Sequence, residues 1–362
     1  MQAAVLHGPG DLRTEPVPLA LPPTSSEVTI AVSMCGLCGT DLHEFLNGGP
    51  MTPLVAPHPA SGHHGPTVLG HEFIGTVVAA GDGCGFQVGD RVVAGAGMWC
   101  GDCGQCRAGR TNMCEFYFTY GLSRDGGLAE QVTVPAQMCC PVPAGCADEE
   151  AVLAQPVAIA VHALDRSGVP DGGPVVVLGA GGIGALIVAA AVDRGCRVTA
   201  VDIDEERLST ALRLGAAETH LLDPAGPPPS VQSPVVFETS GASAGLGLAL
   251  QLTSVGGRVV GVGLPQGEVS FDLRTAVVRE IDVVTSAAHV CRTDLPRAVD
   301  LLNRTPLSDV VVARRVYLAD VVSQGFGPLA RREVKGKVVV DVHGRRRETS
   351  PVAERRPMEG SS

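Results

Sequence analysis

Four cysteines lie close together in a glycine-rich loop of this 362-residue chain: Cys100, Cys103, Cys106 and, after seven further residues, Cys114. Four thiolates at such short spacing suit a closed tetrahedral zinc site, which can stabilise a loop that has no hydrophobic core of its own. The alternative is four incidental thiols in a cysteine-rich chain, and the tight clustering argues against it. Because four protein ligands leave no open coordination position, we predict that this zinc is structural.

A second set of reactive side chains is split between two segments. The first segment carries Cys38, Thr40 and His43, and the second carries His71 and Glu72. A catalytic zinc takes three protein ligands and leaves one position for water or substrate. Cys38, His71 and Glu72 can supply those ligands, although each residue alone is more often a buried thiol or a hydrogen-bonded polar group.

The third motif is glycine-rich and lies between a predicted strand and a predicted helix; it contains Gly179, Gly181, Gly182, Ile183 and Gly184. Its glycines let the backbone approach a pyrophosphate at the N-terminus of the helix. Asp202 ends the next predicted strand, where a carboxylate can accept both ribose hydroxyls and repel a 2′-phosphate. We therefore predict a site for NAD(H) in preference to NADP(H), with Arg207 as a further contact. The alternative is a glycine-rich turn without a ligand.

The elements that must position these motifs change in character near residue 148. Before it, short strands alternate with glycine and proline, which predicts an irregular β-rich domain. After it, strands and helices alternate, which predicts a doubly wound parallel sheet. The strands are predicted over residues 27–33, 73–80, 128–134, 174–178, 197–202, 219–222, 235–238, 258–262, 282–285 and 337–342. The helices are predicted over residues 151–164, 182–194, 204–214 and 295–302.

One crossing between predicted parallel strands departs from this pattern. Residues 223–234 contain five prolines, which forbid an ordinary helix there. Twelve extended residues can span about 40 Å, so the chain can cross without a helix. The charged segment 344–362 lacks apolar periodicity, and we predict that it is a disordered tail.

Composition excludes several classes of protein. Hydrophobic residues make up 45% of the chain and charged residues 18%, which is ample for a buried core. A net charge of −11 argues against nucleic-acid binding, and no apolar run is long enough to span a membrane. The N-terminus lacks the pattern of an export signal, so we expect a cytoplasmic protein. Lys335 and Lys337 are the only two lysines, which we interpret as compositional bias without functional meaning.

Taken together, the motifs resemble the zinc-dependent medium-chain alcohol dehydrogenase family. The resemblance covers residues 1–343 and depends on Cys35-Gly-Leu-Cys-Gly-Thr-Asp-Leu-His43, Gly70-His-Glu-Phe-Ile-Gly75, the four-cysteine loop and the Gly179–Gly184 motif. Residues 41–48 and 58–62 are most similar to the butanediol and sorbitol dehydrogenase branch. The resemblance implies an α/β protein with a GroES-like, β-rich catalytic domain (1–153 and 289–343) and a doubly wound, Rossmann-type NAD-binding domain (154–288).

The resemblance also implies roles for individual residues. Cys38 and His71 would ligate a catalytic zinc, with Glu72 as a ligand or its immediate neighbour. Thr40 would hydrogen-bond the substrate oxygen, and His43 would complete a proton relay through the cofactor ribose. The substrate would be a small alcohol or carbonyl compound, with a diol, polyol or hydroxy-ketone expected, and the protein a homodimer or homotetramer.

One departure from the family pattern lies close to this chemistry. Members of the branch usually read Glu-Pro-Leu where this chain has Gln155-Pro-Val, so a carboxylate has become a neutral amide. Zinc with the Cys38 thiolate and the Glu72 carboxylate is formally neutral, which should make it a stronger Lewis acid than a site with two carboxylates. We predict two zinc ions per chain, with Gln155 beside the catalytic one as a weak ligand or hydrogen-bond partner.

The predicted reaction is hydride transfer between the nicotinamide and an alcohol carbon, with zinc polarising the oxygen and a proton leaving through Thr40 and His43. Two alternatives remain at this stage. One is a zinc-poor enzyme of the same fold that reduces carbon–carbon double bonds. The other is a non-catalytic NAD-binding scaffold or sensor, which Gln155 and the proline-rich crossing would favour.

Overall fold

The computed structural model of the chain describes residues 1–265 and 267–344. The predicted disordered tail therefore lies, apart from Gly344, outside the described residues. Within the described ranges no helix combines the length and apolarity that crossing a membrane requires.

The strands of the described residues fall into two runs, one on each side of residue 148. The strands are β1 Gln2–Gly8, β2 Asp11–Pro16, β3 Glu27–Leu37, β4 Thr67–Val68, β5 Glu72–Ala80, β6 Arg91–Ala94, β7 Gly97–Met98, β8 Phe118–Thr119, β9 Gln131–Pro135, β10 Cys139–Pro141, β11 Pro174–Leu178, β12 Arg197–Asp202, β13 Glu218–Leu221, β14 Ser233–Glu238, β15 Thr253–Gly261, β16 Asp282–Thr285, β17 Val312–Tyr317 and β18 Lys337–Asp341.

The helices of the described residues lie mainly in the second half of the chain. The α-helices are α1 Gly39–Asn47, α2 Gly104–Arg107, α3 Asp148–Ala151, α4 Ala154–Ser167, α5 Gly182–Asp193, α6 Glu205–Arg213, α7 Gly245–Leu252, α8 Leu273–Val278, α9 Cys291–Arg304, α10 Ser308–Val311 and α11 Gly327–Ala330. Short 3₁₀ turns cover Thr111–Met113, Ala136–Met138 and Leu318–Asp320, and a π-helical segment covers Val321–Phe326.

The first half of the chain builds a mainly antiparallel sheet around β3. This sheet has the order β10-β6-β5-β3-β18-β17, and β9 also pairs with β3. The sequence of β3 alternates so that Val28, Ile30 and Val32 are fully buried, as expected for a strand with one face on the core. Its two last strands, β17 and β18, come from the C-terminal end of the chain, so both ends of the sequence complete one sheet.

The second half builds a six-stranded, wholly parallel sheet with the order β13-β12-β11-β14-β15-β16. Its central strand, β11, is an almost continuous run of buried valines, as parallel strands covered on both faces require. Helices such as α5 and α6 connect consecutive strands, and Asp204 caps α6 by accepting the backbone N–H groups of Glu206 and Arg207. The predicted combination of a β-rich domain and a doubly wound domain is confirmed.

The proline-rich crossing forms no helix. Residues 222–232, between β13 and β14, contain only turns and irregular backbone. The crossing still delivers β14 to its place beside β11, so the order of the parallel sheet is unaffected. The prediction that the chain crosses here without a helix is confirmed.

The predicted helix over residues 151–164 is wrong in its start. The structure has a short helix α3, a break at Val152 and Leu153, and then α4 from Ala154. The physical reason is Pro156, which has no backbone N–H and is tolerated only in the first turn of a helix. The new start places Gln155 and Pro156 together in that first turn.

Candidate metal centres and dinucleotide site

The four predicted thiolate ligands converge in the structure. The sulfur of Cys114 lies 3.6 Å from that of Cys100 and 4.0 Å from that of Cys103, and the sulfurs of Cys100 and Cys106 are 4.0 Å apart. A regular tetrahedron with zinc–sulfur bonds of about 2.3 Å has sulfurs about 3.8 Å apart. The four cysteines therefore fit a closed zinc site without rearrangement.

Backbone amides around this loop lower the pKa of Cys100 and Cys103 and so favour their thiolate forms, whereas burial raises the pKa of Cys106 and Cys114. The N–H groups of Asp102 and Cys103 point to the sulfur of Cys100, at 3.4 and 3.3 Å. The backbone amide of Glu115 is the main cause that lowers the pKa of Cys103 to about 6. Because zinc binds the thiolate and not the thiol, these donors prepare the loop for the metal.

The split set of ligands also comes together. Cys38 follows β3 and precedes α1, while His71 and Glu72 stand at the start of β5. Antiparallel pairing of β3 with β5 sets Gly36 opposite Glu72, which brings the two segments side by side. One ligand atom from each of Cys38, His71 and Glu72 lies within 4.8 Å of the others.

Asp41 supports two members of this group and is itself fully buried. One of its carboxylate oxygens accepts the backbone N–H of Cys38 at 2.9 Å, and the other lies 3.2 Å from Nδ1 of His71. Burial disfavours a charged imidazole, but Asp41 and Cys38 raise the pKa of His71 well above its usual value. Since Nδ1 is engaged by Asp41, Nε2 is the nitrogen left to bind a metal.

The donor set fits a zinc ion with an open position. A thiolate, an imidazole and a carboxylate are the ligand types of catalytic zinc, and three of them leave the fourth position for substrate. A second observation supports the fit: Oε2 of Glu72 is buried and has no hydrogen-bond partner. A buried carboxylate oxygen without a donor is costly unless a cation completes its shell.

The predicted relay residues lie on the helix that Cys38 begins. The Thr40 hydroxyl is 3.7 Å from the Cys38 sulfur, so Thr40 borders the metal site. His43 lies one turn further along α1, and its Nδ1 accepts a hydrogen bond of 2.9 Å from the side-chain amide of Asn47. No hydrogen bond of the described residues joins Thr40 to His43, so a proton passing between them needs an intermediate group.

Gln155 is buried in the first turn of α4, and its Oε1 has no hydrogen-bond partner. No hydrogen bond of the described residues connects it with Cys38, His71 or Glu72. Its predicted place beside the zinc therefore stays a prediction.

Lys337 is a functional candidate that our interpretation of the two lysines dismissed. Its Nζ donates to Oε1 of Glu72 at 2.5 Å. Lys335 is also engaged, since its Nζ lies 2.8 Å from Asp204 and 3.2 Å from Glu206. The sequence signal was weak: Lys337 is one of two lysines and begins a predicted strand, but no local pattern joins it to Glu72. Both lysines thus have ion-pair partners, and whether either has a functional role is not decided by these contacts.

The glycine-rich motif has the predicted strand–turn–helix form, with Gly179 after β11 and α5 beginning at Gly182. A Cβ added to Gly184 would lie only 1.8 Å from the carbonyl oxygen of Gly179, so this position requires glycine. At Gly182 an added Cβ would meet nothing within 4 Å, and at Gly181 nothing nearer than 3.8 Å. The Cβ positions of Gly181 and Gly182 at the N-terminus of α5 are therefore unobstructed, as the close approach of a phosphate would require.

Asp202 ends β12 beside this turn. One carboxylate oxygen accepts the backbone N–H of Ala180 at 2.7 Å, and the other accepts that of Asp204 at 3.0 Å. Nη1 of Arg207 lies 3.6 Å from Asp202, and the guanidinium borders Gly181. The two predicted ribose contacts, Asp202 and Arg207, thus lie together at the mouth of the glycine-rich turn.

The chain matches two known domain families. Residues 24–144 match the profile of the alcohol dehydrogenase GroES-like domain, and residues 182–304 match that of the zinc-binding dehydrogenase domain. The chain is 34% identical to a sorbitol dehydrogenase of Arabidopsis thaliana over 297 residues, which are 78% of this chain and 79% of the relative.

Solved structures of zinc-type dehydrogenases have the same fold as this chain. The crystal structure of 2R,3R-butanediol dehydrogenase from Bacillus subtilis superposes with a TM-score of 0.86 at 29% identity, covering 94% of this chain and 99% of the other. A structure from Sinorhizobium meliloti, described as a zinc-binding dehydrogenase bound to NADP, gives a TM-score of 0.81 at 30% identity, covering 94% and 99%.

Proposed function

Since the chain belongs to the zinc-type medium-chain alcohol dehydrogenase family and is an oxidoreductase, we propose that it transfers a hydride between a nicotinamide cofactor and the carbon of a secondary alcohol or ketone. The relatives named for butanediol, sorbitol and L-idonate support a diol, a polyol or a hydroxy-ketone as substrate. The observation that carries the proposal is the convergence of Cys38, His71 and Glu72 in a chain that also has the dinucleotide turn.

In this proposal Cys38, His71 and Glu72 hold a catalytic zinc, and the four-cysteine loop holds a structural one. When bound, the catalytic zinc supplies a Lewis acid that lowers the pKa of an alcohol oxygen. Asp41 fixes the imidazole of His71 and the backbone at Cys38, so both ligands are oriented before a metal arrives. Gln155 stands nearby as a weak ligand or hydrogen-bond partner.

In this proposal, residues of α1 remove the proton of the substrate hydroxyl. Thr40, beside the Cys38 sulfur, accepts the proton of the substrate hydroxyl and passes one on, and His43 delivers a proton towards solvent. His43 is partly exposed, as a group that exchanges protons with water must be. The gap between Thr40 and His43 is the place where a ribose hydroxyl of the cofactor would join them.

The cofactor is a nicotinamide dinucleotide, and we propose NAD(H) rather than NADP(H). The carboxylate of Asp202 can accept hydrogen bonds from both ribose hydroxyls and repels a 2′-phosphate. Arg207 would lie alongside the ribose. The proposed division into a catalytic domain (1–153 and 289–343) and a dinucleotide domain (154–288) places the substrate between the two.

We further propose that the protein forms a homodimer or homotetramer in the cytoplasm. The edge strand β16 pairs only with β15 among the described residues, and Val283 on it is 41% exposed. The preceding helix α8 exposes Val277 and Val278 by 67% and 73%. An apolar surface next to an open sheet edge favours association with a second copy. All 12 cysteines are unpaired, which agrees with a reducing compartment.

The proposal is tested with freshly purified protein and a panel of vicinal diols, polyols and hydroxy-ketones, each with NAD⁺ or NADH. The expected result is turnover of at least one of these compounds, two zinc ions per chain by metal analysis, and loss of both turnover and one zinc in the Cys38→Ala variant. A Cys84→Ser variant, altered outside both clusters, should keep both. Cofactor binding without turnover across the panel, or one zinc per chain, would contradict the proposal.

A further inference from the structure

The ion pair between Lys337 and Glu72 lies at the edge of the proposed catalytic metal site. Nζ of Lys337 is 2.5 Å from Oε1 of Glu72, and the two side chains are 15% and 1% exposed. Burial opposes the charged form of Lys337, but the carboxylate of Glu72 raises the pKa of the lysine above its usual value. A buried ion pair of this kind is costly to form, so its position calls for an explanation beyond stability.

The backbone brings Lys337 to this place from the far end of the chain. β18 runs antiparallel to β3, and Val338 pairs with Leu37. Lys337 therefore stands level with Cys38, at the point where β3 ends and the metal-binding segment begins. The lysine reaches Glu72 on the neighbouring strand β5, across the end of β3.

The two oxygens of Glu72 have different surroundings. Oε1 is held by Lys337, whereas Oε2 is buried and has no hydrogen-bond partner. Oε2 lies over Gly36, where an added Cβ would be only 2.2 Å away, so the glycine leaves the space that this oxygen fills. Lys337 thus anchors Oε1, while Oε2 occupies the space beside Gly36.

We propose that Lys337 is a positioning residue that holds Oε1 of Glu72 and leaves only Oε2 for the metal, so that Glu72 ligates zinc through one oxygen. This inference rests on the proposed function, since it assumes zinc at Cys38, His71 and Glu72. With Glu72 limited to one oxygen, the three residues fill three positions and the fourth stays open for the substrate. The lysine also places a positive charge beside the ion, which weakens zinc binding.

The neutral side chain of Gln155 increases the importance of the positioning of Glu72 by Lys337. Gln155 stands where the branch usually has a carboxylate, so Glu72 is the one carboxylate among the three proposed zinc ligands. A change at Lys337 therefore acts on the only acidic oxygen pair that the proposed ligand set offers. Both the number of ligands and the affinity for zinc should respond to it.

The test uses the full-length protein from which metal has been removed with a chelator. Zinc affinity is measured by competition with a coloured chelator, and the ligand number is read from the visible spectrum of the Co²⁺-loaded protein. Subtracting the spectrum of the Cys38→Ala variant, which keeps the four-cysteine site, isolates the signal of the catalytic site. We compare Lys337→Met with Lys337→Arg, which keeps the charge and the donor.

We expect Lys337→Met to bind zinc at least about tenfold more tightly, because a nearby positive charge is gone. Its cobalt bands should weaken, as they do when both oxygens of Glu72 bind and the ligand number rises above four. Lys337→Arg should match the unchanged protein in both measurements. If Lys337→Met does not fold, Lys337→Gln tests the effect of the charge by itself: zinc should bind more tightly, while the cobalt bands stay unchanged because the amide can still donate to Oε1.

Unchanged affinity and an unchanged cobalt spectrum in the folded Met variant, or unchanged affinity in the Gln variant, would overturn the inference and leave Lys337 a structural residue. Arg behaving like Met would overturn it as well. Failure of the proposed function has a different signature: the unchanged protein would then bind one metal ion per chain, and Cys38→Ala would bind the same number.

Discussion

The side-chain amide of Asn112, which lies between the third and fourth cysteines of the thiolate loop, is 3.2 Å from Nε2 of His162 on α4. The same amide donates to the carbonyl of Ala287 at 2.9 Å, and Nδ1 of His162 lies 3.0 Å from Asp294 on α9. Asn112 thus connects the cysteine loop directly to α4 and to the segment before α9, and through His162 it is connected to α9 itself.

This arrangement predicts the effect of Asn112→Ala. The change leaves a partly buried imidazole nitrogen and a backbone carbonyl without their donor, so we expect a loss of about 1–2 kcal/mol in the free energy of unfolding. Urea denaturation measures it. The matched control is Asn47→Ala, which removes an asparagine bonded to a partly exposed histidine and should change stability by less than about 0.5 kcal/mol. Equal losses in the two variants would contradict the role given to Asn112.

The His43→Ala variant tests the proton path. Loss of a positioned proton carrier should lower the rate of alcohol oxidation near neutral pH, on the order of a hundredfold. The measurement is the initial rate of cofactor reduction between pH 6 and 9, where a higher pH should recover part of the activity. His64→Ala, at an exposed histidine outside the site, should be unaffected. An unchanged rate in His43→Ala would discard the relay.

Cofactor preference can be tested at Asp202. Replacement by serine removes the charge that repels a 2′-phosphate, and we expect the ratio of kcat/KM for NAD⁺ over NADP⁺ to fall by about tenfold or more. The control is Asp204→Asn, two residues away, which keeps a helix cap and should preserve the ratio. A protein that prefers NADP⁺ before any substitution would contradict our assignment.

His289 should make stability depend on pH. Burial lowers the pKa of this histidine from 6.5 to about 4, although Asp294 partly opposes the effect. Between these two pH values the histidine is protonated in the unfolded chain but stays neutral in the folded protein. The contribution of His289 to the free energy of unfolding is therefore complete above about pH 6.5. It is lost as the pH falls towards 4, by about 3 kcal/mol in total.

The measurement for His289 is the free energy of unfolding from pH 4 to 7, compared between the unchanged protein and His289→Gln. The glutamine amide can replace the donor to the carbonyl of Gly95, which His289 contacts through Nε2 at 3.1 Å. We expect a shallower slope in the variant over this range, and the same slope as the unchanged protein in His64→Gln. A parallel pair of curves for His289→Gln would show that the proton uptake lies elsewhere.

Sequence patterns predicted those parts of the protein that are encoded locally. The four-cysteine loop, the glycine-rich turn and the parallel strands each lie within a short stretch, so their spacing carries the signal. The two halves of the split metal set were recognisable for the same reason, because Cys38 and His71-Glu72 each stand in a short motif. The start of α4 was missed because its apolar run extends past Pro156 towards α3, although that proline limits where the helix can begin.

The contacts that sequence analysis missed are made between distant segments. Nothing near Lys337 signals that antiparallel pairing of β18 with β3 will bring it to Glu72. The chain from Asn112 through His162 to Asp294 joins a loop and two helices, and each residue alone looks like an ordinary surface or helix residue. Such partners follow from the order of strands in a sheet, which a single sequence does not reveal.

The late position of β18 has a consequence for how the protein is made. Glu72 and Lys337 are 265 residues apart, so the ribosome must synthesise the whole parallel-sheet region before the lysine emerges. Until then β3 lacks its neighbour β18, and the carboxylate of Glu72 has no countercharge. The first half of a nascent chain therefore has an incomplete sheet until β18 emerges, and an unpaired stretch of strand edge is exposed to pairing with other chains during synthesis.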